Sequence, residues 1–337
     1  MNQRIKFIIS GLAIICLLAG NFSVANAQVF GPVGPILGPE GSPNTVDLDI
    51  APIVACESDG NPSDDVAFVC AFFLEFLLDD LVQSEAFLDE VVIGYRNDLP
   101  IFFRNQLTEP LVIQVSLVDM DGPGGVLATA GPVQSANFLP NPFLRLRGGF
   151  RAWSLPRMSV MSLDPADVPF LILTEGMVDT IVHEAFHAMG HPFNFDPPES
   201  GLNNAINAFG QINFVGDLAG INGVGFGLTE YRAESGNPFA QFVPLQQDVA
   251  PGDTPGHLNP FDPTFVRFDE NIQEVFLPTA PPPGIQNFMS RALQGMFADL
   301  GYVIRGINGP GFIDIDLDGI ADDPLIINPE LPTDGDP

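Results

Sequence analysis

The stretch from Val178 to Met189 leaves little choice of conformation. Val178, Ile181, Val182, Ala185, Phe186 and Met189 recur at the spacing of successive helical turns. At about 100° per residue they fall on one face and form a stripe wide enough to be buried. His183 and His187 lie on the opposite side, about 40° apart and roughly 6 Å apart along the axis. Glu184 also lies off the stripe. The pattern predicts a helix over 176–189 that packs one face into a core. Its other face presents two imidazoles and a carboxylate.

Two imidazoles one turn apart can share a zinc ion. Zinc draws the pKa of a bound water towards neutrality. A neighbouring carboxylate, here Glu184, can take that proton and pass it to a leaving amine. This is the chemistry of metal-assisted amide hydrolysis. The competing explanation is a chance His-Glu-x-x-His on a surface helix. The chain has only four histidines, and His183, His187 and His191 lie within nine residues of one another, which favours the metal. A catalytic zinc takes a third protein ligand. His191 lies beyond Gly190 and before Pro192, where a helix breaks, and helical continuation would put it two turns past His183. The other candidates are His257, Glu230 and Glu234.

Charge narrows the partners. Asp+Glu number 42 against Lys+Arg 12, a net charge of −30, so nucleic-acid phosphates would be repelled. A hydrophobic fraction of 46% is too high for a wholly disordered chain, and 34 Gly with 33 Pro argue against a long helical bundle. Arg4 and Lys6, an apolar run from Phe7 to about Leu18, and Ala25-Asn26-Ala27 form a secretory signal pattern over residues 1–27. The apolar run is short for a span of roughly 20 residues, so no stable membrane span is expected after cleavage. Ile15 is not the small residue that lipoprotein processing at Cys16 would need. The expected location is secreted, periplasmic or cell-surface. Lys6 is the only lysine, so the mature chain has none. In an oxidising compartment Cys56 and Cys70 are expected to pair. Two cysteines cannot supply a Cys-based zinc site with the usual four ligands.

Residues 28–50 read as an extended lead-in and 51–310 as the catalytic domain. Within it, 65–93 reads as one or two helices. Leu111–Asp119 alternates like a strand, Asp121–Gly125 forms a turn, and Met158–Leu163 reads as another strand. Residues 190–285 read as mostly irregular, and 288–300 as a last helix stopped by Gly301. Residues 311–337 form an acidic tail. There Asp314, Asp316, Asp318 and Asp322 occupy positions 1, 3, 5 and 9 of an EF-hand-like loop, with Gly319 at the sharp turn. Leu325 stands where the bidentate glutamate would be, so the expectation is weak calcium binding, against the alternative of an unstructured acidic tail.

The segment Val182-His183-Glu184-Ala185-Phe186-His187-Ala188-Met189-Gly190 resembles the zinc helix of leishmanolysin-type metzincins, especially their secreted bacterial relatives. Upstream, Gly125–Pro132 resembles a block those proteins carry before the zinc helix. Downstream, Gly227–Tyr231, Val243–Leu245, Gly256-His257-Leu258 and Asp299–Tyr302 resemble family segments in the same order. Together they span about residues 110–305. The resemblance implies an α+β zincin fold with a twisted sheet, an active-site helix and an irregular C-terminal subdomain. It also implies that His257 is the third zinc ligand, delivered by a long insertion. Family members place a methionine turn under the metal. The matching stretch here is Glu274-Val275-Phe276-Leu277-Pro278, with Phe276 at the methionine position and Met289 nearby, at the start of the next helix.

The expected activity is therefore a secreted zinc endopeptidase acting on protein or peptide substrates. The alternatives are a non-catalytic zincin-fold binding or adhesion domain and, less favoured by the motifs, a metal-dependent amidase acting on cell-wall material. Peptide mapping of the non-reduced mature protein should recover Cys56 and Cys70 as one linked pair, worth about 3 kcal/mol by loop-closure entropy. Recovery of both as free thiols would refute the pairing.

Overall fold

The structure is a computed structural model. It describes residues 46–50, 65–96, 107, 111–138, 153–190, 205–206, 212–213, 225–246, 257–278, 285–313 and 324–327. The signal segment, Cys56, His191 and Asp314, Asp316, Asp318 and Asp322 lie outside the described residues.

The fold is mixed α+β, with small sheets and few helices. The main sheet has four strands: β1 (Val46–Ile50), β3 (Leu111–Leu117), β5 (Trp153–Leu163) and β4 (Ala128–Phe138), in the spatial order β1-β3-β5-β4. β1, β3 and β5 run parallel, and β4 returns antiparallel along β5 as an edge strand. β1 therefore places the end of the expected lead-in inside the sheet. In β3 the alternation predicted from sequence is visible: Leu111, Ile113 and Val115 are buried while Val112, Gln114 and Ser116 are partly exposed. β5 extends five residues further back than its apolar run suggests, because β4 pairs with it from Phe138↔Trp153 to Ala128↔Leu163. The turn at Asp121–Gly125 joins β3 to β4. Asp164 secures it by accepting from the Asp121 and Gly122 amides, and Asp167 by accepting from the Gly124 amide.

Helices α1 (Asp65–Phe72) and α2 (Leu74–Val91) precede the short strand β2 (Val92–Tyr95), and α3 (Val168–Leu173) leads into α4 (Met177–Ala188). α4 is the helix expected from the stripe. Val178, Ile181, Val182, Ala185, Phe186 and Met189 are all 0–2% exposed. Its C-terminal carbonyls are anchored: Ser159 Oγ donates to Ala188 O at 2.6 Å, and Tyr302 Oη donates to Met189 O at 3.0 Å. Gly190, at φ 105°, takes a backbone conformation that side chains disfavour and turns the chain off the helix axis.

The C-terminal part holds the short pair β6 (Ala205–Ile206) and β7 (Ile212–Asn213). It also holds α5 (Phe226–Glu234), β8 (Val266–Arg267), β9 (Ile272–Glu274), β10 (Gln286–Met289), α6 (Arg291–Leu300), β11 (Tyr302–Ile304) and β12 (Leu325–Ile326). A second four-stranded sheet runs β12-β10-β9-β8, and β11 pairs with β2. α5 is a helix inside the region read as irregular. Its hydrophobic pattern is weak, and its stability comes from α6. The Asp299 carboxylate near the end of α6 accepts from the Phe226 and Gly227 amides at 2.9 Å each. Glu234 at the end of α5 accepts from the Arg291 and Ala292 amides at 2.9 Å each. Each helix thus supplies the anion that caps the other's positive end. The residues read as the start of the last helix, 288–289, belong instead to β10, where Phe288 and Met289 pair with β12.

The two helices cross at Gly295. A Cβ there would sit 2.7 Å from Gly227 N and from Phe226 C, which are backbone atoms that cannot step aside. Gly295→Ala should separate α5 from α6 and lower stability by about 1–3 kcal/mol. Urea denaturation at constant pH checks this, and an unchanged midpoint would show that the contact is not required.

Candidate metal centre

α4 delivers His183 and His187 to one point because the opposite face of the helix is fully buried. His257 arrives from a different route. The antiparallel bridge Leu245↔Leu258 holds its segment, with Gln246 N donating to His257 O at 2.9 Å and Asn259 N to Pro244 O at 3.2 Å. Leu258 N also donates to Phe276 O at 3.1 Å. The result is a close group. His183 Nε2 and His257 Nε2 are 3.2 Å apart, and His187 Nε2 and His257 Nε2 are 3.3 Å apart. Among the described residues His183, His187 and His257 form the one set of three or more such side chains able to hold a metal ion.

The outer ring nitrogens fix the tautomers. His183 Nδ1 lies 2.8 Å from the Val275 carbonyl, which only accepts, so Nδ1 carries the proton and Nε2 the lone pair. His257 Nδ1 lies 3.1 Å from Gln246 Oε1, which gives the same assignment. Burial lowers the basicity of His183. It pushes His257 down to about 3, helped by the charge of His183. The His183 and His257 rings are therefore neutral near pH 7 and their Nε2 lone pairs face each other. Neutral, inward-facing imidazoles are the form a metal ion requires. A shared cation turns the mutual repulsion of those lone pairs into ligation.

Phe276 lies against all three rings, with centroids 5.1 Å from His183, 4.8 Å from His187 and 5.5 Å from His257. It is fully buried. Met289 instead lies in β10. Phe276 thus takes the place beneath the histidines, and the turn that carries it also supplies the Val275 carbonyl to His183.

Glu184 is buried beside the group, at 7% exposed. Burial raises its pKa to about 7, opposed by a hydrogen bond from the Ala130 backbone on edge strand β4. Its Oε2 has no hydrogen-bond partner among the described residues. A buried carboxylate oxygen left unpaired is costly, and here it lies next to the histidine group in sequence and on the same helix. Glu230 and Glu234 are engaged elsewhere. Glu230 pairs with Arg291 Nε at 2.8 Å, and Glu234 caps α6. Gln246, the Val275 carbonyl and the Ala130 amide are parts of the site that carry no sequence signal, because a backbone group or a lone Gln has no motif. No protein-family model matches the chain, and no curated protein matches it.

Two further carboxyls, Glu274 and Asp179, have raised pKa values. Burial raises Glu274 to about 8 and Asp179 to about 7. In the unfolded chain both ionise near pH 4. Their stabilising contribution is complete below that pH and is lost as pH rises through about 7 to 8. The metal-free protein should therefore have a higher urea midpoint at pH 5 than at pH 8, and Glu274→Gln should reduce the difference. Equal midpoints at the two pH values in the unsubstituted protein would contradict the assignment.

Proposed function

We propose that the protein is a zinc-dependent endopeptidase of the metzincin type, exported from the cell, with His183, His187 and His257 as zinc ligands and Glu184 as general base. The observation that carries this reading is the convergence of three histidine Nε2 atoms beside a buried carboxylate with an unpaired oxygen. Ligands at about 2.0–2.1 Å from a tetrahedral zinc are about 3.3–3.4 Å from each other, close to the two separations present. When bound, zinc would lower the pKa of a water towards neutrality and polarise the substrate carbonyl.

The chain's own groups do the rest. The Val275 carbonyl and Gln246 hold His183 and His257 in the ligating tautomer. Glu184 takes a proton from water and delivers it to the leaving amine. A pKa raised to about 7 suits a group that must both accept and release a proton near neutrality. β4 is the edge strand of the main sheet among the described residues and its Ala130 lies beside Glu184, so an extended peptide could add to that edge as a further strand. Export and the Cys56–Cys70 pair belong to the same reading, as does weak calcium binding by Asp314, Asp316, Asp318 and Asp322. No helix among the described residues is long and apolar enough to cross a membrane.

Phe276 favours a second reading, a zincin-fold binding domain without turnover, because an aromatic ring replaces the family's methionine. Glu184→Gln separates the two. It should keep one zinc per chain and lower cleavage of a denatured protein substrate by about 100-fold or more. His257→Ala should lose both zinc and cleavage. Zinc binding without cleavage in the unsubstituted protein would favour the binding domain, and undiminished cleavage by Glu184→Gln would remove the base assignment.

A further inference from the structure

In a chain with twelve Lys and Arg side chains against 42 acids, three arginines line one small cavity. Arg267, Arg291 and Arg305 face a space of about 170 Å³ between β10, the start of α6 and the segment after β11. Among the described residues Glu234 is the one acidic residue in its wall, and both its oxygens are committed to the α6 amides, with Arg267 Nη2 3.5 Å from one of them.

The arginines are positioned from behind. Arg291 uses Nε for Glu230 at 2.8 Å. Arg305 uses Nε for the Glu90 carbonyl at 2.8 Å and the Glu90 carboxylate at 3.1 Å. The Arg267 guanidinium lies 4.7 Å over the Phe288 ring and 3.6 Å from Glu270. Carboxylates that engage Nε fix the plane of a guanidinium and leave its terminal nitrogens to donate. Among the described residues the terminal nitrogens of Arg291 and Arg305 have no partner. The described wall thus presents three guanidinium groups, each paired on one side with a carboxylate, and the terminal nitrogens of Arg291 and Arg305 remain available to donate.

We propose that this cavity is a binding site for a small oxyanion, a phosphate or a short dicarboxylate. Guanidinium forks bind both groups through paired charge-assisted hydrogen bonds. The volume is below the roughly 300–1,000 Å³ typical of sites for larger ligands, which excludes a nucleotide. None of the three arginines belongs to the histidine group, so the inference is independent of the protease reading.

The test is thermal denaturation and calorimetric titration of the full mature chain. Inorganic phosphate and succinate are the probes, against sodium chloride at matched ionic strength, with a chelator present to keep the histidine group metal-free. A saturable rise in melting temperature with one or both probes, absent with chloride, is expected. Response to phosphate alone assigns a phosphoryl ligand, and response to succinate alone a carboxylate. Arg291→Gln should weaken the binding at least about tenfold, and Arg305→Gln should do the same. Arg305 is tied to Glu90 and its variant can fail to fold. Arg291 is more exposed, so Arg291→Gln alone decides. No saturable response to either probe, or equal affinity in Arg291→Gln, would overturn the proposal.

Discussion

The convergence of His183 Nε2 and His187 Nε2 on His257 Nε2, at 3.2 and 3.3 Å, is the constraint around which the C-terminal half is arranged. Lone pairs at that distance repel, and nothing in a helix alone would bring them there. Two come from α4, held by the burial of its opposite face. The third needs the Leu245–Leu258 bridge on one side and the hydrogen bond from Leu258 to Phe276 on the other. The Val275–Phe276 turn is the common support. It orients His183 by a carbonyl, underlies all three rings and holds the segment that carries His257.

That turn is supported in its own way. Val275 N donates to Phe288 O, and the buried Glu274 carboxyl accepts from Ser290 N at 2.7 Å. Ser290 is the N-cap of α6, whose side chain accepts from Leu293 N. α6 is in turn capped by Glu234 of α5 and returns the favour through Asp299. A chain of polar contacts thus runs from the α5–α6 pair through the turn to the three histidines. Buried polar groups of this kind fix one geometry because each unmade hydrogen bond is expensive.

The same helix pair separates two tasks among its carboxylates. Glu230 and Glu234 have the residue type of zinc ligands, yet they serve Arg291 and the start of α6. Their spacing on α5 allows either use. Which one is realised depends on where α6 lies, and its close approach at Gly295 sets that position. On this arrangement the acidic side chains of α5 orient arginines and close a helix end, and His257 joins the histidine group.

The local chemistry was legible in the residue order. The α4 stripe, the alternation of Leu111–Leu117, the Asp121–Gly125 turn and the stops at Gly190 and Gly301 follow from periodicity and backbone preference, which act over a few residues. The pairing of His183 with His187 is also local, since one helical turn defines it. The arrival of His257 was suggested only by resemblance, since no periodicity links residues 74 positions apart. α5 went unread because its apolar pattern is weak and its caps come from another helix. The end of the lead-in, Val46–Ile50, alternates apolar and acidic residues yet went unread as β1, because so short a run after a Gly- and Pro-rich stretch is settled as a strand only when a neighbour pairs with it. Gln246, the Val275 carbonyl and the Ala130 amide acquire their roles by proximity alone. Sequence determines which segments are helical and which side chains can ligate. The tertiary structure decides which of them meet, because contacts between distant segments depend on the packing of the whole chain.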